Sequence, residues 1–247
     1  MARTHHVEVT RTARVLTLGG GPEPPHEIWY LLHGYGQLAH RFLRRFRSFA
    51  SERRFLVAPE ALSRFYPARR GEGPARRSIP GASWMTREDR EREISDYVAY
   101  LDTVAELAEA GRLPSQDTSE ATWPAVGRPQ VRTVVGFSQG VHTATRWAVL
   151  GRLSFQRLIL WGAALPPDLP ESAPDRLRGA ELILVRGVED EIRRLEEEER
   201  EEAWLERQGL PFRVATHPGG HEIDRSLLER LVAGPAERPS ELDEHPE

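Results

Sequence analysis

The sequence predicts an α/β domain: a mostly parallel central sheet with helices on both faces. Three observations carry that expectation. Short continuous apolar runs at 28–32, 55–58, 157–161 and 181–185 have the length and composition of strands buried on both sides. Segments with apolar residues at helical spacing separate them, and such alternation down a chain points to a parallel sheet. The third observation is the β-branched run 131–135, which passes through Gly136-Phe137-Ser138-Gln139-Gly140 into a segment, 141–150, whose Ala144, Trp147 and Ala148 are spaced to pack on a sheet.

The size and composition agree with one such domain. The chain has 247 residues, and a single domain is expected over 1–233, followed by a proline-bearing acidic tail at 234–247. A formal net charge of −4 carries no bias towards nucleic acid. With no cysteine, disulfides, thiolate catalysis and cysteine-ligated zinc are excluded. The opening Met-Ala-Arg-Thr-His-His lacks the apolar core of a signal peptide, and no run reaches membrane-spanning length. The expectation is a cytoplasmic protein that does not insert into membranes.

Taken in order, 7–18 alternates apolar and polar residues (Val7, Val9, Ala13, Val15), as an opening strand or hairpin half exposed to solvent would. A Gly/Pro cluster at 19–25 turns the chain into the strand 28–32, which ends in His33-Gly34-Tyr35-Gly36-Gln37. Residues 40–51 read as a basic helix with Phe42, Leu43, Phe46 and Phe49 on its apolar side, and 55–58 as a strand closed by Pro59. The stretch 60–85 is long, irregular and rich in Arg, Gly and Pro, including Arg69-Arg70 and Arg76-Arg77. A stretch of that length suggests a lid or pocket wall, lined by Phe65, Tyr66, Trp84 and Met85.

A strong helix is expected from Thr86 to about Ala110, with Ile94, Tyr97, Val98, Leu101, Val104, Ala105 and Ala108 on one face and Gly111 as its stop. The polar stretch 113–130 reads as an insertion before the central strand. Beyond it, 157–161 ends in Trp161, placed to line an acyl pocket or to sit in the core. The charged segment 192–208 is expected as a solvated helix with Ile192, Leu195 and Trp204 turned inward. A last strand at 212–216 leads through His217-Pro218-Gly219-Gly220-His221 into a final helix reaching Leu231.

The chemistry is concentrated at Ser138. A serine on a one-residue turn between strand and helix needs neighbours without a Cβ two positions away on each side, which Gly136 and Gly140 supply. Serine is a poor nucleophile until an imidazole takes its proton and a carboxylate fixes that imidazole. Downstream, the loop after 181–185 offers Glu189, Asp190 and Glu191, and the loop after 212–216 offers His217 and His221. His221 is favoured because Gly219-Gly220 could swing its ring over the serine. His142 lies one helical turn past Ser138 and would point along its helix, and His33 beside the glycine turn reads as structural. A tetrahedral oxyanion needs two fixed donors. The expected ones are the N–H of Tyr35 in the glycine-rich turn and that of Gln139 directly after the serine.

Four stretches together resemble a known family. Leu32-His33-Gly34-Tyr35-Gly36, Gly136-Phe137-Ser138-Gln139-Gly140, Gly187-Val188-Glu189-Asp190-Glu191-Ile192 and Gly219-Gly220-His221-Glu222-Ile223 look like the motifs of the phospholipase/carboxylesterase family of α/β-hydrolases, which includes acyl-protein thioesterases. The likeness runs from about Glu27 to Leu231. It implies the α/β-hydrolase fold and a cofactor-free serine esterase with Ser138 as nucleophile, His221 as base and Asp190, rather than its two acidic neighbours, as the orienting acid. The implied partner is a small-molecule carboxylic ester, or alternatively a thioester or lysophospholipid, and homodimers are common enough in the family to be expected. Acyl transfer to an alcohol or amine would use the same triad. A fold kept as a binding protein without turnover is the competing class, and it would be marked by a missing triad member. Val141 departs from the family pattern, and 60–84 and 113–130 match none of it.

Overall fold

A computed structural model describes residues 2–67, 79–114 and 129–233. The inner part of the expected lid (68–78, with its paired arginines), most of the expected insertion (115–128) and the expected tail (234–247) lie outside the described residues. Nine strands are described. Seven of them, β1 (Val15–Leu18), β2 (Glu27–Leu32), β3 (Arg54–Pro59), β6 (Val131–Phe137), β7 (Arg157–Trp161), β8 (Glu181–Gly187) and β9 (Phe212–His217), form one sheet. Its order is β1-β3-β2-β6-β7-β8-β9, parallel throughout except for β1, which pairs antiparallel with β3.

Successive residues of a strand point to opposite faces, and the core divides accordingly. Ile28, Tyr30, Leu32, Val134, Leu158, Leu160, Leu182 and Leu184 face one side. They are covered by α2 (Arg90–Glu109), α3 (Gln139–Leu150), the short α4 (Ala173–Leu177) and Leu205 of α5 (Leu195–Arg207). Trp29, Leu31, Val135, Phe137, Ile159, Trp161, Ile183 and Val185 face the other, under α1 (Ala39–Arg45) and α6 (Arg225–Ala233). Both faces are dry, which is why these strands read as continuous apolar runs. Asp102 on α2 accepts from Trp147 Nε1 (2.9 Å) and from the N–H of Arg152 (3.1 Å), so it fixes the far end of α3 against α2.

Four sequence expectations are corrected. The opening strand is only Val15–Leu18. Val7 and Val9 are both 81% exposed, since β3 pairs with β1 only over four residues and nothing continues the ladder. The basic helix ends at Arg45, with a 3₁₀ turn at Arg47–Phe49 carrying Phe49 into the core. The long helix starts at Arg90 rather than Thr86. Glu93 reaches back from its first turn to take the N–H and hydroxyl of Thr86, and Asp89 turns the chain in a left-handed conformation (φ 50°).

The fourth correction concerns the inward face of α5. Ile192 and Leu195 are each 61% exposed, and the buried residues of this helix are Glu198, Glu201 and Leu205, with Trp204 half-buried against the core. The cause lies beneath the helix: Arg186 on β8 is buried, and Glu198 (3.4 Å), Glu201 (3.1 Å) and Glu202 turn towards its guanidinium. A buried cation demands carboxylates, and that demand outweighs two apolar side chains.

The described ends of the expected irregular stretch carry secondary structure. β4 (Ser63–Phe65) and β5 (Gly81–Ser83) pair as an antiparallel hairpin, and Ala82 bridges to Gln37. Glu60, with a fully buried carboxylate, holds this region to the body of the protein through Arg14 (2.5 Å), Arg64 (2.7 Å) and the N–H of Ala39 (3.3 Å).

Candidate active site

β6 ends at Phe137 and α3 begins at Gln139, so Ser138 alone makes the turn, at φ 54° and ψ −120°. That backbone conformation is strained for an L-residue and persists because its surroundings hold it. The Ser138 N–H donates to Trp161 O (2.8 Å), and the Ser138 carbonyl accepts from Val141 N–H (2.8 Å). A Cβ on Gly136 would collide with the Gly140 carbonyl, and one on Gly140 with the carbonyl of Leu32. The flanking glycines are therefore needed for the reason the sequence suggests.

The loop after β2 passes directly beside this turn: a Cβ on Gly34 would stand 3.2 Å from that of Ser138. The loop is tied on all sides. Gly34 N–H donates to Gln37 Oε1 (2.9 Å), Gly36 N–H to Ala82 O (2.9 Å), and Ala82 N–H to Gln37 O (3.0 Å). Among the described residues no acceptor takes the N–H of Tyr35. The Gln139 N–H is one of the first donors of α3, which have no intrahelical acceptor. The Gln139 side chain does something the sequence reading missed. Its Oε1 accepts from Trp84 N–H (3.0 Å) and its Nε2 donates to Met85 O (2.9 Å), binding the end of the hairpin to the elbow. A polar residue at the first position of a helix beside the serine was the only signal for this.

The third wall is made by two interlocked loops. Val188 N–H donates to His217 O (2.9 Å) and Glu189 N–H to Gly219 O (3.2 Å). Between them, His221 Nδ1 meets Asp190 Oδ2 at 2.7 Å, and Asp190 Oδ1 accepts from Ile192 N–H (2.9 Å). Asp190 is buried while Glu189 and Glu191 are exposed, so geometry separates three acids that sequence position leaves together. A carboxylate at Nδ1 favours the tautomer that leaves Nε2 as acceptor. The ring of His221 lies 4.8 Å from that of Phe137, the residue before the serine. Ser138, Asp190 and His221 all line one cavity of about 200 Å³, with Gly162, Ala163 and Val185 among its apolar lining.

Of the other histidines near this site, two are engaged elsewhere and one is held neutral. Buried His33 bonds Gly34 O (2.9 Å) through Nδ1 and accepts from Ala61 N–H (3.1 Å) at Nε2, and burial lowers its pKa. His217 is buried and accepts from Trp161 Nε1 (3.3 Å). His142 also borders the cavity; burial, then the nearby Arg146, push it down to about 4, leaving it neutral.

Trp84 and Trp161 are not among the residues that border this cavity, and Trp161 takes the core position that the sequence leaves open. Both are buried, with their indole N–H groups spent on His33 O (2.8 Å) and on His217. Met85, the third residue expected there, packs against the core with its sulfur 3.4 Å from Arg146. The residues bordering the cavity instead include Arg186, Arg193 and Glu198, an ion-paired set with Arg193 Nε at 2.7 Å from Glu198. Among the described residues, no group of three or more histidine and acidic side chains is placed to hold a metal ion, and no helix is long and apolar enough to cross a membrane.

No protein-family model matches the sequence, and neither does any curated protein. Solved structures do match. Acyl-protein thioesterase 2 of Zea mays superposes with a TM-score of 0.59 at 14% identity, over 90% of this chain and 97% of that one. A carboxylesterase from Mesorhizobium loti gives 0.59 at 20% identity, over 90% and 94%. A phospholipase/carboxylesterase from Dyadobacter fermentans gives 0.57 at 14% identity, over 91% and 96%. The mostly parallel sheet, the serine turn at the end of its central strand and these superpositions agree: the chain has the α/β-hydrolase fold.

Proposed function

We propose that the protein is a serine hydrolase of carboxylic esters, with Ser138 as nucleophile, His221 as general base and acid, and Asp190 as the group that orients His221. The observation that carries this reading is the convergence of a strained serine elbow and a 2.7 Å His221–Asp190 pair on one cavity. Ser138 Oγ attacks the ester carbonyl carbon as His221 Nε2 takes its proton. The carbonyl π pair moves onto oxygen, which the N–H groups of Tyr35 and Gln139 stabilise. The oxyanion re-forms the carbonyl, the bond to the alcohol oxygen breaks, and His221 returns the proton to that oxygen. Water then attacks the acyl-enzyme with His221 as base, releasing the acid and restoring Ser138.

The solved structures of similar fold include esterases and a thioesterase, and the same attack serves a thioester carbonyl. The deciding measurement is hydrolysis of p-nitrophenyl esters from acetate to decanoate by the wild type and by Ser138→Ala. Loss of activity in the variant, with a chain-length optimum in the wild type, is expected. Equal activity in the variant would remove Ser138 from the reaction. A folded wild type that is inert on esters but cleaves acyl thioesters would move the assignment to a thioesterase.

A further inference from the structure

The loop that carries Asp190 is closed at its base by a single carboxylate. Arg186 is the last residue but one of β8, and Arg193 stands two residues before α5, so the two arginines flank the loop. Both reach Glu198, in the second turn of α5. Arg193 Nε donates to Glu198 Oε1 (2.7 Å) and Arg193 Nη2 to Oε2 (2.8 Å), the two-pronged geometry that guanidinium and carboxylate favour. Arg186 Nη1 lies 3.4 Å from the same Oε2. Glu198 and Arg186 are both buried. The residues between the arginines thus form a ring whose two ends meet on one side chain.

The ring depends on that closure. Val188 and Ile192, its large apolar side chains, are 62% and 61% exposed, and Glu189 and Glu191 also face solvent, so core packing does not hold it. Its first half is pinned to the base loop through Val188 N–H on His217 O and Glu189 N–H on Gly219 O. Its second half turns back on itself: Ile192 N–H donates to Asp190 Oδ1 (2.9 Å) and Arg193 N–H to Asp190 O (3.1 Å). These bonds tie Asp190 to residues 192 and 193, and the Arg193 side chain ties residue 193 to the helix. The bond to Glu198 raises the pKa of Arg193, burial opposes the rise, and the charge of Asp190 adds to it. A shift of Arg193 would carry Asp190 with it, away from the 2.7 Å contact with His221.

We propose that Arg193 and Glu198 are positioning residues for the reaction, holding Asp190 where it orients His221 through the Arg186–Glu198–Arg193 bridge. The proposal rests on the ester-hydrolase reading of Ser138 and adds to it two residues outside the triad. All three members of the bridge border the serine cavity, so contact with the substrate is the competing role. Positioning of the base acts on kcat, whereas contact with the substrate acts on KM.

Arg193→Met and Glu198→Gln each break the bridge without stranding a buried charge. Glu198 keeps Arg186 in the first variant, and Arg186 keeps Glu201 and Glu202 in the second. On p-nitrophenyl acetate, kcat is expected to fall about 10- to 100-fold in each, with KM within about twofold of the wild type. The double variant should fall no further than the worse single one, because both changes cut one link. The low-field proton resonance of the His221–Asp190 hydrogen bond gives a readout that needs no turnover, and it should be lost or moved upfield in both variants.

A lower urea midpoint with kcat and the resonance both unmoved would overturn the proposal, leaving the bridge a matter of stability and Ser138 still the nucleophile. A raised KM at unchanged kcat would overturn it too, in favour of substrate contact. Additive losses in the double variant would show that the two residues act separately, and the bridge would fall. A wild type that cleaves no ester, with the resonance lost in both variants, would remove the hydrolase reading and keep the bridge as what holds the His221–Asp190 pair.

Discussion

Ser138 illustrates how much a single position can reveal and where that stops. Glycines at 136 and 140 are legible as a steric requirement, and the structure shows what each avoids: a Cβ at 136 would meet the Gly140 carbonyl across the turn, and one at 140 the Leu32 carbonyl at the end of β2. The acid is less legible. Glu189, Asp190 and Glu191 are adjacent and chemically alike, and only the fold buries the middle one against His221 while leaving its neighbours in solvent. The tryptophans are ambiguous in another way. A large aromatic at a strand end suits a pocket wall or the core equally, and the indole donors of Trp84 and Trp161 find buried acceptors that hold both side chains in the core. If Asp190 fixes the tautomer of His221, then Asp190→Asn keeps shape and hydrogen bonding while the amide can donate to Nδ1, which places the imidazole proton on Nε2. That variant should stay folded and lose about 10⁴-fold in kcat, with KM little changed. Steady-state kinetics beside a urea denaturation curve would check both halves. A fall of less than about tenfold would mean that Asp190 does not orient the base.

Strands β2, β3, β6, β7 and β8 are legible because they are largely buried on both faces; the hairpin β4–β5 is not, because its partners are remote in sequence. Gly36, Gln37 and Ala82 hold one another across more than forty residues, and Gln139 reaches the same hairpin from α3. Local patterning does not encode contacts of that kind. Helix α5 shows a related failure: its apolar residues suggested one inward face, but the buried Arg186, placed by β8, selected another. The tie between α3 and the hairpin has a measurable consequence. Gln139→Ala leaves the part-buried Trp84 N–H without its acceptor, while the Met85 carbonyl keeps the Ser83 hydroxyl (2.8 Å). An unmet buried polar group costs about 1–3 kcal/mol. The unfolding free energy should fall by that amount, seen as a lower urea midpoint at an unchanged m-value, and the backbone N–H of residue 139 is retained. A variant as stable as the wild type would show that the hairpin is held by its own pairing.

Among the described residues, most ion pairs are exposed or half-exposed and contribute little each. The group around Arg186 is different. Three carboxylates, Glu198, Glu201 and Glu202, meet one guanidinium, and Arg193 supplies a second cation to Glu198 alone. Burial pushes Glu201 up from 4.5 to about 7, despite the Leu165 N–H and the Arg186 guanidinium that oppose it, with Glu198 adding to the rise. Glu201 thus keeps a proton in the folded protein over a range in which the unfolded chain has lost it. The stabilisation is present in full below about pH 4.5, declines as pH rises, and is gone once pH passes 7. For a shift of this size the whole change is on the order of 3 kcal/mol, spread across that window. Glu201→Gln keeps an acceptor for Leu165 N–H and has no proton to lose. Unfolding free energies measured by urea from pH 4.5 to 8 should therefore show the wild type losing stability relative to the variant as pH rises, with the gap widening up to about pH 7 and flat beyond it. Because the other titrating groups are common to both proteins, the difference curve isolates Glu201. Two parallel curves would mean that Glu201 is ionised throughout and that Arg186 carries all three charges.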